Sequence, residues 1–152
     1  MASARENDLN PDIFIGLKLP FGRSKSGLFG KTQTTLEQAG SNIKNLLLTA
    51  KGERVMQPNF GSRLRELLFE QYTEDLSSRI QSEIQEAIST WLPYINISNV
   101  NIIQSDEDPN TTSVDIDFSL NYEPDRFESI SLNFDGDSES ISTSGGSGGG
   151  GY

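Results

Sequence analysis

Apolar positions along this chain follow two rhythms, one close to 3.6 residues and one of two. The first stretch has period two. Ile13, Ile15, Leu17, Leu19 and Phe21 alternate with Phe14, Gly16, Lys18 and Pro20, which predicts an extended segment with Pro20 at an edge or an end. Leu36, Ala39, Ile43, Leu46, Leu47 and Ala50 then repeat at three and four, one face of an amphipathic helix. Thr34 and Glu37 form a capping box at its start, and Gly52 stands where a C-terminal glycine belongs. A short helix is expected after Gly61, capped by Ser62, with Leu64, Leu67 and Leu68 as its buried side. Leu76, Ile80, Ile84, Ala87, Ile88 and Trp91 make a second long stripe, from about Glu74 to Leu92. Asp75 with Arg79, and Arg79 with Glu83, sit four apart on its outer face, and Pro93 stops it.

Period two returns afterwards. Ile95 and Ile97 alternate, then Val100 and Ile102 alternate in the opposite parity, so a bulge or a late strand start is expected near Ser98–Asn99. Val114, Ile116, Phe118, Leu120 and Tyr122, with Ser113, Asp115, Asp117, Ser119 and Asn121 between them, predict a half-buried strand with one polar face. Pro109 and Asn110 mark the connection Asp106–Thr111 as a hairpin loop. Ile130, Leu132 and Phe134 give a weaker third strand. The predicted fold class is α+β, with three helices packed on a small, mostly antiparallel β-sheet, and flexible termini. Residues 1–12 are expected to be a flexible segment and 13–134 the folded domain. The Gly/Ser/Lys/Arg run Gly22–Lys31 reads as a loop within it. From residue 135 onward Asp, Ser, Glu and Gly dominate, which predicts a disordered tail, because such a segment buries too little apolar surface to offset its ordering entropy.

Composition narrows the chemistry. Hydrophobic residues make up 34% of the 152, nearly all between Ile13 and Phe134, so the core is smaller than the length suggests. Acidic residues outnumber basic ones 22 to 12, a formal net charge of −10 at pH 7. Such a chain is a poor general binder of nucleic acid or anionic membrane. It has no Cys and no His, which removes thiolate chemistry, Cys-type zinc sites, and the commonest general base and metal ligand. No stretch approaches the roughly 20 apolar residues that span a bilayer. Met1–Asn10 carries no apolar run, so no secretory signal is read there. The protein is expected to stay in the cytoplasm of the cell that makes it.

One stretch carries more specific information. Asn45-Leu-Leu-Leu-Thr49, Gly52-Glu-Arg54, Pro58-Asn-Phe-Gly61 and Leu67-Leu-Phe-Glu70 follow one another at short, fixed spacings. In these blocks, and over about residues 13–122, the chain resembles the baseplate wedge and sheath-initiator family of contractile phage tails, type VI secretion systems and related injection machines, also called GPW-like or lysozyme-like. The family carries a Glu-Pro-Arg triplet at the end of its long helix. Here Leu92-Pro93-Tyr94 stands in its place, keeping the proline and losing both charges. The resemblance implies a structural protein of the virion tail baseplate, present in several copies, made in the host cytoplasm and working without a cofactor. Its implied partners are baseplate wedge proteins and the terminal arms of the sheath protein. The implied mechanism is strand sharing, in which an open sheet edge receives sheath arms and so links the wedge to the first sheath ring.

Two groups of residues are candidates for those contacts. Glu53, Arg54, Pro58, Phe60 and Gly61 lie on a connection between helices and would face the wedge. The plain alternative for Glu53 and Arg54 is turn chemistry with a surface ion pair worth ~0–1 kcal/mol, and Phe60, Leu67, Leu68 and Phe69 also suit a core. Ser113, Asp115, Asp117, Ser119 and Asn121 would flank the receiving edge, with Asp115 and Asp117 discouraging self-pairing. A carboxylate-dependent glycoside hydrolase acting on peptidoglycan is the alternative function. It needs two carboxylates at fixed separation, one with a raised pKa. Glu53, Glu66 and Glu70 are available, but Glu66 and Glu70 read as solvated helix surface. Asp106-Glu-Asp108 and Asp135-Gly-Asp-Ser-Glu139 are oxygen-rich yet lack calcium-loop spacing, so no metal site is assigned.

Overall fold

The computed structural model describes residues 4–19, 29–70, 74–104 and 111–134. Pro20 and Phe21, most of the expected loop from Gly22, both acidic stretches considered for metal, and the expected tail from residue 135 lie outside the described residues.

Two long helices form where the stripes place them. Helix α2, Thr35–Leu48, buries Leu36, Ala39, Ile43, Leu46 and Leu47. Its N-cap is Thr34, whose hydroxyl accepts the Glu37 N–H at 3.2 Å. Glu37 reaches back to the N–H of Gln33 at 3.2 Å, one residue earlier than the usual capping box. Helix α4, Glu74–Trp91, buries Leu76, Ile80, Ile84, Ala87 and Ile88. Between them lies α3, Leu64–Leu68, with Leu64 and Leu67 buried. The buried Ser62 hydroxyl accepts the Leu64 N–H at 3.3 Å and donates to the Leu47 carbonyl at 2.9 Å. A fourth, short helix that periodicity did not suggest, α1, spans Ala4–Asp8. The Asp8 carboxylate accepts from the backbone N–H and the hydroxyl of Thr35, at 2.9 and 2.8 Å, and so ties the N-terminal segment to the start of α2.

Helices α2, α3 and α4 share one core with a three-stranded antiparallel sheet. Its strands are β3, Ile95–Gln104, β4, Thr112–Leu120, and β5, Glu123–Phe134, in the order β3-β4-β5. Val114, Ile116, Phe118 and Leu120 of β4 are fully buried against the helices, with Ile95, Ile130 and Leu132 beside them. The parity slip in the sequence is a register shift between Ile97 and Asn99. The other sheet face is polar, and there Ser113 donates to Asn133 at 2.8 Å while the Ser131 hydroxyl bonds the Asp115 carboxylate.

The first apolar segment departs from expectation. Only β1, Gly16–Leu17, pairs, with β2, Lys31–Thr32. Flanking bonds from Ile15 N–H to Thr32 O and from Lys18 N–H to Gly30 O, both 2.9 Å, lengthen the ribbon slightly. Ile13, Phe14, Ile15 and Leu17 remain 36–51% exposed, because a two-residue ladder offers no sheet face to bury them against. Gly52 also differs from its predicted role. α2 ends at Leu48 with an extended C-cap at Thr49, and Gly52, at φ +91°, belongs to the turn that follows.

Candidate functional site

The helix connection is braced from within. Ala50 and Ser62 form an isolated parallel bridge. Across it the Ser62 N–H reaches Thr49 O at 2.9 Å and the Lys51 N–H reaches Ser62 O at 3.3 Å. The Gly52 N–H donates to Pro58 O at 2.8 Å. Gly61, at φ +116°, is buried so closely that a Cβ there would collide with the Thr49 carbonyl oxygen, which is why glycine ends this block. Glu53 and Arg54 do not pair with each other. The Glu53 carboxylate accepts the Ala50 N–H at 3.0 Å. The Arg54 guanidinium lies over the Phe60 ring, 4.0 Å from its centroid. Phe60 is half-buried and meets Trp91 edge-on at 5.1 Å. Phe69 is 61% exposed and is not core.

Two residues that periodicity missed stand at the tip of this connection. Val55 is 95% exposed and Met56 92%. They belong to no apolar stripe, so the one available signal was an apolar pair inside an otherwise polar turn. Adjacent apolar side chains held out by a hydrogen-bonded loop are a candidate contact surface.

The candidate strand edge needs correction. β4 is the central strand. It pairs with β3 from Ile95↔Leu120 to Gln104↔Thr112 and with β5 from Thr112↔Phe134 onward. Ser113, Asp115, Asp117 and Ser119 are therefore paired on both sides and flank no edge. Asn121 lies in the β4–β5 turn, where its N–H and side-chain amide donate to Tyr94 O and Pro93 O, both at 3.0 Å. Strict alternation reports a buried face but is silent about free edges.

The two true edges differ. β3 carries the bulge at 97–99, and the Gln81 amide from α4 donates to its Val100 carbonyl at 3.1 Å. Both features blunt an edge. β5 pairs without a break from Phe127 to Phe134. Among the described residues nothing pairs with its outer side. A cleft of about 230 Å³ runs along that rim. It is bounded by residues 128–131 of β5, by Ser41 and Lys44 of α2, and by Lys18. Successive strand residues face opposite sides of a sheet, so four in a row place the cleft at the rim and not on a face. Burial, with Lys18 nearby, pulls the Lys44 amine below the ordinary lysine range, although Glu128 acts the other way. Burial, then Glu37, pushes the Glu128 carboxyl above its ordinary range against the pull of Lys44, Lys18 and Arg126.

A wider cleft of about 580 Å³ lies between α3 and α4 and contains Glu66, Glu70, Glu83 and Glu86. The expected i,i+4 pairs of α4 give way here to tertiary ones. Glu70 is held by both Arg79 nitrogens, at 2.5 and 3.2 Å. Burial alone would raise the Glu83 pKa. The Lys51 ammonium and the Arg63 N–H, each 2.9 Å from Glu83 Oε1, outweigh it and hold the carboxyl below its usual range.

Residues 35–125 match the family model described as baseplate wedge protein gp25. Baseplate wedge protein gp25 of Enterobacteria phage T4 is 30% identical over 129 residues, which cover 85% of this chain and 93% of the T4 protein. Baseplate protein W of Escherichia phage P2 is 32% identical over 76 residues, 50% of this chain and 66% of that protein. Among solved structures, a Geobacter sulfurreducens protein described as a candidate tail lysozyme superposes with a TM-score of 0.58 at 26% identity, covering 64% of this chain and 87% of that one. A chain of the anti-feeding prophage baseplate superposes with a TM-score of 0.59 at 23% identity, covering 68% and 82%; that likeness is one of fold. The class is thus that of structural proteins of contractile-tail baseplates. The chain belongs to the baseplate wedge protein gp25 family.

Proposed function

We propose that this wedge subunit presents the outer rim of β5 to extended arms of the sheath protein, and thereby links the wedge to the first sheath ring. The observation that carries the reading is the asymmetry of the sheet, with β3 bulged and capped by Gln81 while β5, past its own register shift near the β4–β5 turn, runs unbroken from Phe127 to Phe134 beside a cleft. An added strand would take its affinity from backbone hydrogen bonds and its register from side chains entering the cleft. Glu128 lies on the inward parity of β5 with Ile130 and Leu132, and an inward-pointing charge keeps an open edge from pairing indiscriminately. The braced connection, with Val55 and Met56 at its tip and Glu53, Arg54, Pro58, Phe60 and Gly61 forming it, is the surface that would grip the wedge.

The charge arrangement favours this structural role over glycoside hydrolysis. A general acid must hold its proton near neutral pH. In the wide cleft Glu70 is bound by an arginine and Glu83 is kept ionised. Glu128, whose carboxyl is raised, lines the other cleft.

Amide exchange of the full chain with and without synthetic peptides of the two sheath arms tests the reading. Added protection over 127–134, and none over 95–104, is expected. Protection on β3 alone, or nowhere, would overturn it.

A further inference from the structure

The rim cleft holds a cation, Lys44, that has no close ionic partner among the described residues, with Glu128 of the same cleft acting on it only from beyond ion-pair distance. Lys44 is only 8% exposed. Among the described residues it forms neither an ion pair nor a hydrogen bond. The neighbouring cation, Lys18, already lies 3.4 Å from Glu37. An enclosed ammonium without a hydrogen-bonded partner is costly, Glu128 offsets that cost only at a distance, and a carboxylate in direct contact is the group that restores its balance.

We propose that the segment received at the β5 rim carries an acidic side chain that enters the cleft and pairs with Lys44. This rests on the reading of β5 as the receiving edge. A strand added there would lie about 4.8 Å outside β5. Its alternate side chains would extend the inner sheet face towards α2, where Lys44 lines the cleft. The cleft, at about 230 Å³, is smaller than the roughly 300 Å³ at which small-molecule pockets begin, so it suits a side chain delivered by a strand better than a free ligand. A second cation would be repelled by Lys44 and Lys18. Glu128 bounds the same cleft and would repel an acid placed beside it. The two charges together mark a register. The acid belongs at the position nearest Lys44, and a slip of one residue would turn it to the opposite sheet face.

The test pairs two proteins with two peptides. The proteins are the full chain and Lys44→Met, which keeps the aliphatic stem and removes the charge. Lys44→Gln serves if Lys44→Met does not melt like the parent. The peptides are the sheath arm that protects β5 and its analogue with every Asp and Glu replaced by the amide. Kd is read by fluorescence polarisation, and amide exchange over 127–134 is followed in parallel. Lys44→Met should weaken the acidic peptide by about tenfold or more, the scale of a charged hydrogen bond. The amide peptide should bind both proteins at that weakened level. If acidic and amide peptides bind the parent alike and both protect β5, the ion pair is wrong while the receiving edge stands. If no arm protects 127–134, the receiving edge is wrong and the ion pair falls with it.

Discussion

Lys51 and Glu83, 32 residues apart, meet at 2.9 Å, and the same carboxylate oxygen accepts the Arg63 N–H. One side chain of α4 therefore fastens both ends of the helix connection. The Glu83 pKa is lowered in the folded chain. Its contribution to stability is thus present above the unfolded carboxylate pKa, and is lost as pH falls through the folded value. Glu83→Gln should cost about 1 kcal/mol at neutral pH. It should also flatten the acid limb of stability against pH, measured by urea unfolding between pH 3 and 7. An unchanged acid limb would remove Glu83 from the account.

Gly61 should be intolerant of any side chain. Alanine there meets both the left-handed backbone and the Thr49 carbonyl. Gly61→Ala should lower stability by about 2 kcal/mol or more. Thermal melting by circular dichroism measures it, and a wild-type melt would mean that the connection rearranges freely.

The centre of the sheet should refuse proline. Asp115 is paired with Asn101 on one side and Ser131 on the other. Asp115→Pro removes a ladder bond and should abolish folding, or cost about 3 kcal/mol or more. A folded Asp115→Pro protein would contradict the strand order.

The exposed pair on the connection should matter to assembly and not to folding. Val55 and Met56 bury almost nothing in the free chain, so replacing both with serine should change stability by no more than about 0.5 kcal/mol. Wedge association, followed by co-purification with the baseplate proteins, should weaken markedly. Full association with both serines in place would move the wedge contact elsewhere.

Much of this fold was legible in the sequence because burial imposes a period. The stripes of α2 and α4, the Thr34 cap and the parity slip at 97–99 all follow from which side chains face the core. Strand order was not legible. β4 shows the cleanest alternation because it is central and its inner face is fully buried, yet the same alternation also suits an edge. Glu128, charged in the parity of Ile130 and Leu132, was the signal that β5 lies at a rim. The partners of Arg79 and Glu83 escaped because i,i+4 spacing says only what can meet along one helix, and Glu70, just past α3, and the connection offered better partners. Lys44 reads as one more polar residue on a helix until the fold encloses it.

The difference between the two sheet rims also limits what the chain can do to itself. Fibres that grow by edge pairing need two usable edges on every copy. With β3 bulged and engaged by Gln81, a copy has at most one among the described residues, the 127–134 rim of β5. Two copies could meet rim to rim about a twofold axis, and no third could join them. Self-association through the sheet is thus chain-terminating. If β5 is the receiving edge, a pool of subunits awaiting assembly would be able to pair through it and unable to grow into fibres.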